Sequence, residues 1–230
     1  MEYKFNSRSI AQVFLDLIRE FNGKKVEDKG FLSDEKDLFV KYLTNLCDDS
    51  KSLFSFEDRV IKLNDPIYII GDICGRLQDL FTIESRLWHS FPIVSANYLF
   101  LGNFVEFGGN GIECIIYLFA LKLIAPKKIF LIKGCHEVGD VGDVRDVTDF
   151  QIKNNFQKEC TQKYGQKIGL KVWQLINGVF DVLPIAAIIN ESIFCANGGI
   201  PQSIEKVRDI NDMSTDRKNS KQYSVVVNEV

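Results

Sequence analysis

The chain has 230 residues, 46% of them apolar and 26% charged, and a net charge of −3. That length and apolar share can bury a sizeable core and exclude a wholly disordered chain. The near balance of 28 basic and 31 acidic residues offers no basic face for nucleic acid or for an anionic membrane surface.

Two histidines, His89 and His136, exclude any site that needs three of them. The six cysteines, Cys47, Cys74, Cys114, Cys135, Cys160 and Cys195, form no C-x-x-C pair. They read as reduced, mostly buried thiols of an intracellular protein. The opening residues carry no signal-peptide apolar region, and the longest apolar stretch, 115–126, is interrupted by Lys122. Cytoplasm or nucleus is therefore the expected location, without membrane attachment.

Residues 1–65 are expected to be helical, as a cap on a larger core. Ile10, Val13, Phe14, Leu17, Ile18 and Phe21 make one apolar stripe, which Asn22-Gly23 ends. Ser33 offers an N-cap for a second stripe of Leu38, Phe39, Tyr42, Leu43 and Leu46. At Pro66 the pattern changes. Ile67–Ile70, Tyr98–Leu101, Ile129–Ile132 and Ile193–Cys195 are short apolar runs that break into small and polar residues. Each reads as a buried strand entering a loop.

Helices are expected between them, over 77–90 and 112–124. The loops at Asp72, Asn103 and Cys135 are roughly 30 residues apart, which is βαβ spacing. Right-handed crossovers make the first three strands parallel and bring their loops to one sheet edge, where α/β proteins place ligands. Residues 150–164 and 173–180 read as further helices, and 182–189 as a strand with Ser192–Cys195 as its hairpin partner. The predicted division is a cap over 1–65, a core over 66–209 and a polar tail over 210–230, in which Tyr223–Val227 could add an edge strand or fray.

Two weaker signals carry no chemistry. Gly108-Gly109-Asn110-Gly111 lacks the Walker lysine and reads as a helix-entry turn. Asp140, Asp143, Asp146 and Asp149 lack EF-hand spacing and read as a solvated acidic loop.

The loop sequences Gly71-Asp72-Ile73-Cys74-Gly75, Gly102-Asn103-Phe104-Val105-Glu106-Phe107-Gly108, Gly134-Cys135-His136-Glu137 and Asn197-Gly198-Gly199 stand in a telling order. They resemble the GDxHG, GDxVDRG, GNHE and HGG motifs of the phosphoprotein phosphatases, the type 1 and type 2A-like serine/threonine phosphatases. Framework around 97–102 and 183–188 is similar too, and the resemblance covers roughly 9–208. It implies an α/β (α+β sandwich) metallophosphatase-like fold with an N-terminal helical cap and an incomplete second sheet. It also implies a site at the strand ends where the family holds two divalent metal ions such as manganese, iron or zinc.

Carried onto this chain, the ligand positions are Asp72, Cys74, Asn103, Cys135 and Asn197, with a further histidine expected beyond them. Only Asp72 keeps the family's residue type. Asn103 stands where the bridging aspartate would be, and Phe107 where an arginine would clamp phosphate. Glu106 stands at the carboxylate that orients the general acid, and His136 is that acid, followed by Glu137. Two divalent ions ~3.5 Å apart repel by roughly 20 kcal/mol at an effective dielectric of ~20. A bridging carboxylate returns on the order of 30 kcal/mol on the same arithmetic, and a neutral amide only a dipole term. Arginine's charged bidentate fork is likewise absent from Phe107.

The expected reading is a catalytically inactive phosphatase-like protein, a pseudophosphatase, with no cofactor and no substrate clamp. Such a protein would act by binding protein partners such as phosphatase regulatory or scaffold subunits. One alternative is a surviving metal-dependent phosphatase with non-standard ligands, in which Cys74 and Cys135 hold a soft metal. The other is a truncated paralogue without function, with exposed strand surface and poor solubility.

Overall fold

The first apolar stripe winds into helix α1 (Ile10–Phe21), which buries Phe14, Leu17 and Ile18. The computed structural model describes residues 9–21, 32–88, 95–137, 155–200, 202 and 204–211. Helix α2 (Lys36–Phe54) buries Phe39, Leu43 and Leu46 from the second stripe. It does not start on Ser33. Leu32 adopts a left-handed φ of 53°, and its carbonyl accepts from the Glu35 amide. That turn uses up residues 32–35 and leaves Glu35, not Ser33, at the helix start.

Strand β1 (Val60–Leu63) corrects the expectation of an all-helical start. Val60, Ile61 and Leu63 are buried and Lys62 is exposed. The stretch becomes a strand because it finds a parallel partner more than a hundred residues later, β5 (Ala186–Ile189). Strands β2 (Ile67–Ile70), β3 (Asn97–Phe100) and β4 (Ile129–Leu131) pair in parallel, in that order, as the loop spacing predicts. Helices α3 (Leu77–Leu87) and α4 (Gly111–Ile124) make the crossovers. A 3₁₀ turn over Cys135–Glu137 follows β4.

Helices α5 (Asn155–Tyr164) and α6 (Gln166–Phe180) lead into β5. The hairpin partner is β6 (Ile193–Ala196), antiparallel to β5, with the second sheet in the order β1-β5-β6. Strand β5 is shorter than predicted. The Val182 and Leu183 amides donate to Val179 and Phe180, which closes α6, and Pro184 has no amide to offer a ladder. Helix α7 (Val207–Asn211) ends the described chain, and the Asn211 side chain accepts from the Val60 amide at 2.8 Å. His89, the acidic residues 140, 143, 146 and 149, and Tyr223–Val227 lie outside the described residues.

The layers follow from which faces are apolar. Ile61, Leu63, Ala187, Ile189 and Cys195 of one sheet meet Ile67, Leu99, Leu101, Phe130 and Ile132 of the other, so the sheets pack face to face. Helices cover the opposite face of the β2-β3-β4 sheet. Ile204 and Ile210, the latter on α7, pack on the outer face of the other sheet.

Helix α4 is the centre of the helical layer and is buried from Gly111 to Lys122. Its two charges are each neutralised. Glu113 pairs with Lys163 of α5 at 2.7 Å, and Lys163 also bonds Glu159 at 2.8 Å. Lys122 pairs with Glu57 and donates to the Pro126 carbonyl at 3.0 Å. Phe119 sits edge-on between Phe54 and Phe180. Phe119→Ala is expected to cost about 3–5 kcal/mol in urea unfolding. Phe56→Ala, at a side chain 89% exposed, should stay within about 0.5 kcal/mol.

Candidate functional site

Strands β2, β3 and β4 end at one edge, and their loops are laced together by backbone bonds. The Ile73 and Cys74 amides both donate to the Asn103 carbonyl, at 3.1 and 2.7 Å, and the Gly75 amide donates to Phe104 at 2.9 Å. The Gly108 amide returns to the Cys74 carbonyl at 2.8 Å. Gly102 is required where the second and third loops cross. It has a φ of +98°, and a Cβ there would stand 2.4 Å from the Gly134 nitrogen. Four non-glycine residues of the site also hold left-handed backbones: Cys74, Asn103, Glu106 and Phe107, with φ of 48, 54, 72 and 52°. Such strain persists only where the surroundings over-determine it.

The surroundings here are the fully buried carboxylate of Glu137. One oxygen accepts from the Asn103 amide at 2.8 Å and the Gly134 amide at 3.0 Å, and the other accepts from Phe104 at 2.8 Å. Burial pushes this carboxyl above the ordinary glutamate value, while the three amides and the nearby His136 pull it down. Sequence reasoning noted Glu137 only as a neighbour of His136. Its function as the clamp joining the second and third loops depends on tertiary contacts that sequence spacing does not encode.

Around this frame the structure brings the predicted residues together. Asn103 donates from Nδ2 to Asp72 Oδ2 at 3.1 Å. Its Oδ1 accepts from Cys135 Sγ and from the His136 amide, both at 3.4 Å. Asn197, arriving from β6 in the other sheet, accepts from the Cys135 amide at 3.3 Å and donates to the Leu101 carbonyl at 2.9 Å. His136 Nδ1 bonds Glu106 Oε2 at 2.8 Å, and the Phe107 ring stands edge-to-face on the imidazole at 5.3 Å. Cys74 joins through its backbone. Its thiol is raised above the ordinary cysteine value by burial and by the charge of Asp72, against the opposing pull of His136 and Arg76.

The sulfur of Cys135 and the carboxylate of Glu106 push the His136 imidazole up to about 10, against the opposite effect of its burial. The raised value favours the imidazolium form at neutral pH, with Nδ1 of the ring held by Glu106.

The calcineurin-like phosphoesterase family matches residues 65–228. The serine/threonine-protein phosphatase BSL2 of Arabidopsis thaliana is 34% identical over 178 residues, covering 74% of this chain and 16% of that protein. A Schizosaccharomyces pombe protein named as a serine/threonine-protein phosphatase is 37% identical over 177 residues, covering 76% of this chain and 53% of the relative. The chain thus spans at most about half the length of these curated relatives. A solved Saccharomyces cerevisiae protein serine/threonine phosphatase, described as similar to human phosphatase PP5, superposes with a TM-score of 0.63 at 24% identity. That superposition covers 86% of this chain and 59% of the yeast one, and shows the shared fold. The chain belongs to the calcineurin-like phosphoesterase family, as a phosphatase domain of the phosphoprotein phosphatase type.

This fold family implies divalent metal ions at the loop edge, and the donor set here does not fit a pair of them. The side chain between the loops is a neutral amide whose NH₂ points at the carboxylate of Asp72. The amides of Asn103 and Asn197 spend their oxygens on protein N–H and S–H groups. Among the described residues no three His, Cys, Asp or Glu side chains stand together as a ligand set. Hard, charged oxygen donors and imidazoles are what such ions select, and one carboxylate supplies too few.

The charge state of His136 can be read directly. Its ring resonances are expected to stay in the imidazolium position from pH 6 to 8.5, and Glu106→Gln should lower the midpoint without restoring the ordinary histidine value, because the Cys135 sulfur remains. Because the folded value is raised, the stabilisation from the His136–Glu106 pair is complete below about 6.5 and fades as pH rises through about 10. The stability difference between the natural protein and Glu106→Gln should therefore be largest near pH 6 and shrink towards pH 10 in denaturant titrations.

Proposed function

We propose that the chain is a catalytically inactive phosphatase-like protein, a pseudophosphatase, that acts by binding other proteins. The observation that supports this reading best is the Asn103 amide. It donates to Asp72 and accepts from Cys135 and His136, so the middle of the loop edge is filled by a neutral, internally satisfied hydrogen-bond network. Phe107, 67% exposed, presents an apolar ring where a phosphate-binding charge would be needed. The His136–Glu106 pair is intact. A general acid assists only when a nucleophile attacks on the other side, and no side chain here generates one.

On this reading the chain's value to the cell lies in its surface. Its proposed partners are proteins of the phosphatase system, regulatory or scaffold subunits, met in the cytoplasm or nucleus. Neither nucleic acid nor membrane is a proposed partner, and among the described residues no helix is long and apolar enough to cross a bilayer.

The test is turnover of a phosphopeptide and of an aryl phosphate with manganese added, together with metal counting on the purified protein. No hydrolysis and no stoichiometric manganese are expected. Asn103→Asp combined with Phe107→Arg should remain inactive, because Cys74, Cys135 and Asn197 still offer no matching ligands. Hydrolysis by the natural chain that Asp72→Ala abolishes would overturn the proposal.

A further inference from the structure

A buried carboxylate, Glu137, fixes the start of the second loop at the Asn103 and Phe104 amides. The end of that loop runs into helix α4, whose first amides need acceptors of their own. Asn110 stands at the N-cap, yet its side chain makes no capping bond, and its amide is committed to the Gly75 carbonyl at 3.1 Å. The acceptor comes instead from α5. Glu159 Oε1 accepts from the Ile112 amide at 3.2 Å, 47 residues away in the chain. A carboxylate at that place also suits the positive end of the helix dipole.

Glu159 is itself held in place. Lys163, one turn further along α5, bonds Glu159 at 2.8 Å and Glu113, in the first turn of α4, at 2.7 Å. Helix α6 backs α5 closely, since a Cβ on Gly169 would stand 2.4 Å from the Cys160 carbonyl oxygen. The carboxylate so placed lies behind the second loop. A Cβ on Gly111 would meet Glu159 Oε2 at 2.8 Å, and the Glu106 nitrogen and Val105 Cα at 3.2 Å each. Gly111 is thus the gap through which α5 reaches the backbone of Glu106.

That backbone is the strained part of the loop edge. Glu106 and Phe107 both hold left-handed conformations, with φ of 72 and 52°. In front, the Gly108 amide donates to the Cys74 carbonyl at 2.8 Å. The Glu106 side chain leaves this bend to meet His136 Nδ1 at 2.8 Å. Two non-glycine residues in succession keep such a backbone only where supports hold it.

We propose that Glu159 is a positioning residue for the Glu106–His136 pair: by capping α4 from α5 it holds the bend that carries Glu106 towards the imidazole. The pair is then set from two directions, by Glu137 where the second loop begins and by Glu159 where it ends. This holds whether or not the site turns over phosphate, because every contact involved lies within the described chain.

Proton NMR of the full 230-residue protein tests it, with two readouts at one pH: the downfield resonance of the His136 Nδ1–H bonded to Glu106, and the exchange protection of the Gly108 amide. Glu159→Ala is expected to abolish the resonance and lower the protection by at least about tenfold. Glu159→Asp, one methylene shorter but still charged for Lys163, should do the same, and it carries the test where the alanine variant does not fold. Glu159→Gln keeps an acceptor within reach of the Ile112 amide and should retain both signals. Phe119→Ala loosens α4 further along and should also retain both, which a merely structural contribution of Glu159 would not predict. The proposal is overturned if Glu159→Ala and Glu159→Asp keep the resonance and the protection. It is also overturned if Phe119→Ala or Glu159→Gln loses them.

Discussion

The geometry of the loop edge depends on the Glu137 carboxylate. A charge buried without partners is not tolerated in a protein interior, so Glu137 imposes a condition on its neighbours. Three amides from two different loops must converge on it, and they do, at 2.8 to 3.0 Å. That convergence draws Gly102 against Gly134 and holds Asn103 in a left-handed conformation. The side chain of Asn103 is in turn delivered to Asp72, Cys135 and His136. The frame of the loop edge is thus kept by one buried carboxylate.

The middle of that frame is occupied by the neutral amide of Asn103. A carboxylate between the loops would repel Asp72 and would need cations to sit there. An amide needs none, because it donates to Asp72 and accepts from Cys135 and His136. Asn197 behaves in the same way, bridging the Cys135 amide and the Leu101 carbonyl across the two sheets. Both amides thus bind the protein itself. Beside them the His136 imidazole is held by Glu106 and stands edge-to-face with the Phe107 ring.

Much of the fold was legible in the chain. The apolar runs at 67–70, 98–101 and 129–132 and their even spacing announced three parallel strands, because buried parallel strands must be apolar throughout and right-handed crossovers have a characteristic length. The order of the four loop sequences marked the edge on which Asp72, Asn103, His136 and Asn197 meet. Less legible were features decided by partners far away in sequence. Residues 60–63 gave no helical stripe and became a strand only because Ala186–Ile189 lies alongside. The start of α2 was displaced from Ser33 by a turn at Leu32 that no capping pattern announces.

The side chains at the site were present in the sequence, and with them the absence of charge at residues 103 and 107, since residue type alone fixes formal charge. Tertiary structure decided what those side chains do instead. Whether an asparagine coordinates, dangles or bonds a neighbouring carboxylate depends on distances of about 3 Å between loops that the chain reaches only after folding. It also decided that Tyr68 and Ile69, which read as ordinary core residues in a fully apolar run, are about half exposed on the outer strand of their sheet among the described residues. Burial is a property of what packs against a strand, and a strand's own residues cannot specify it.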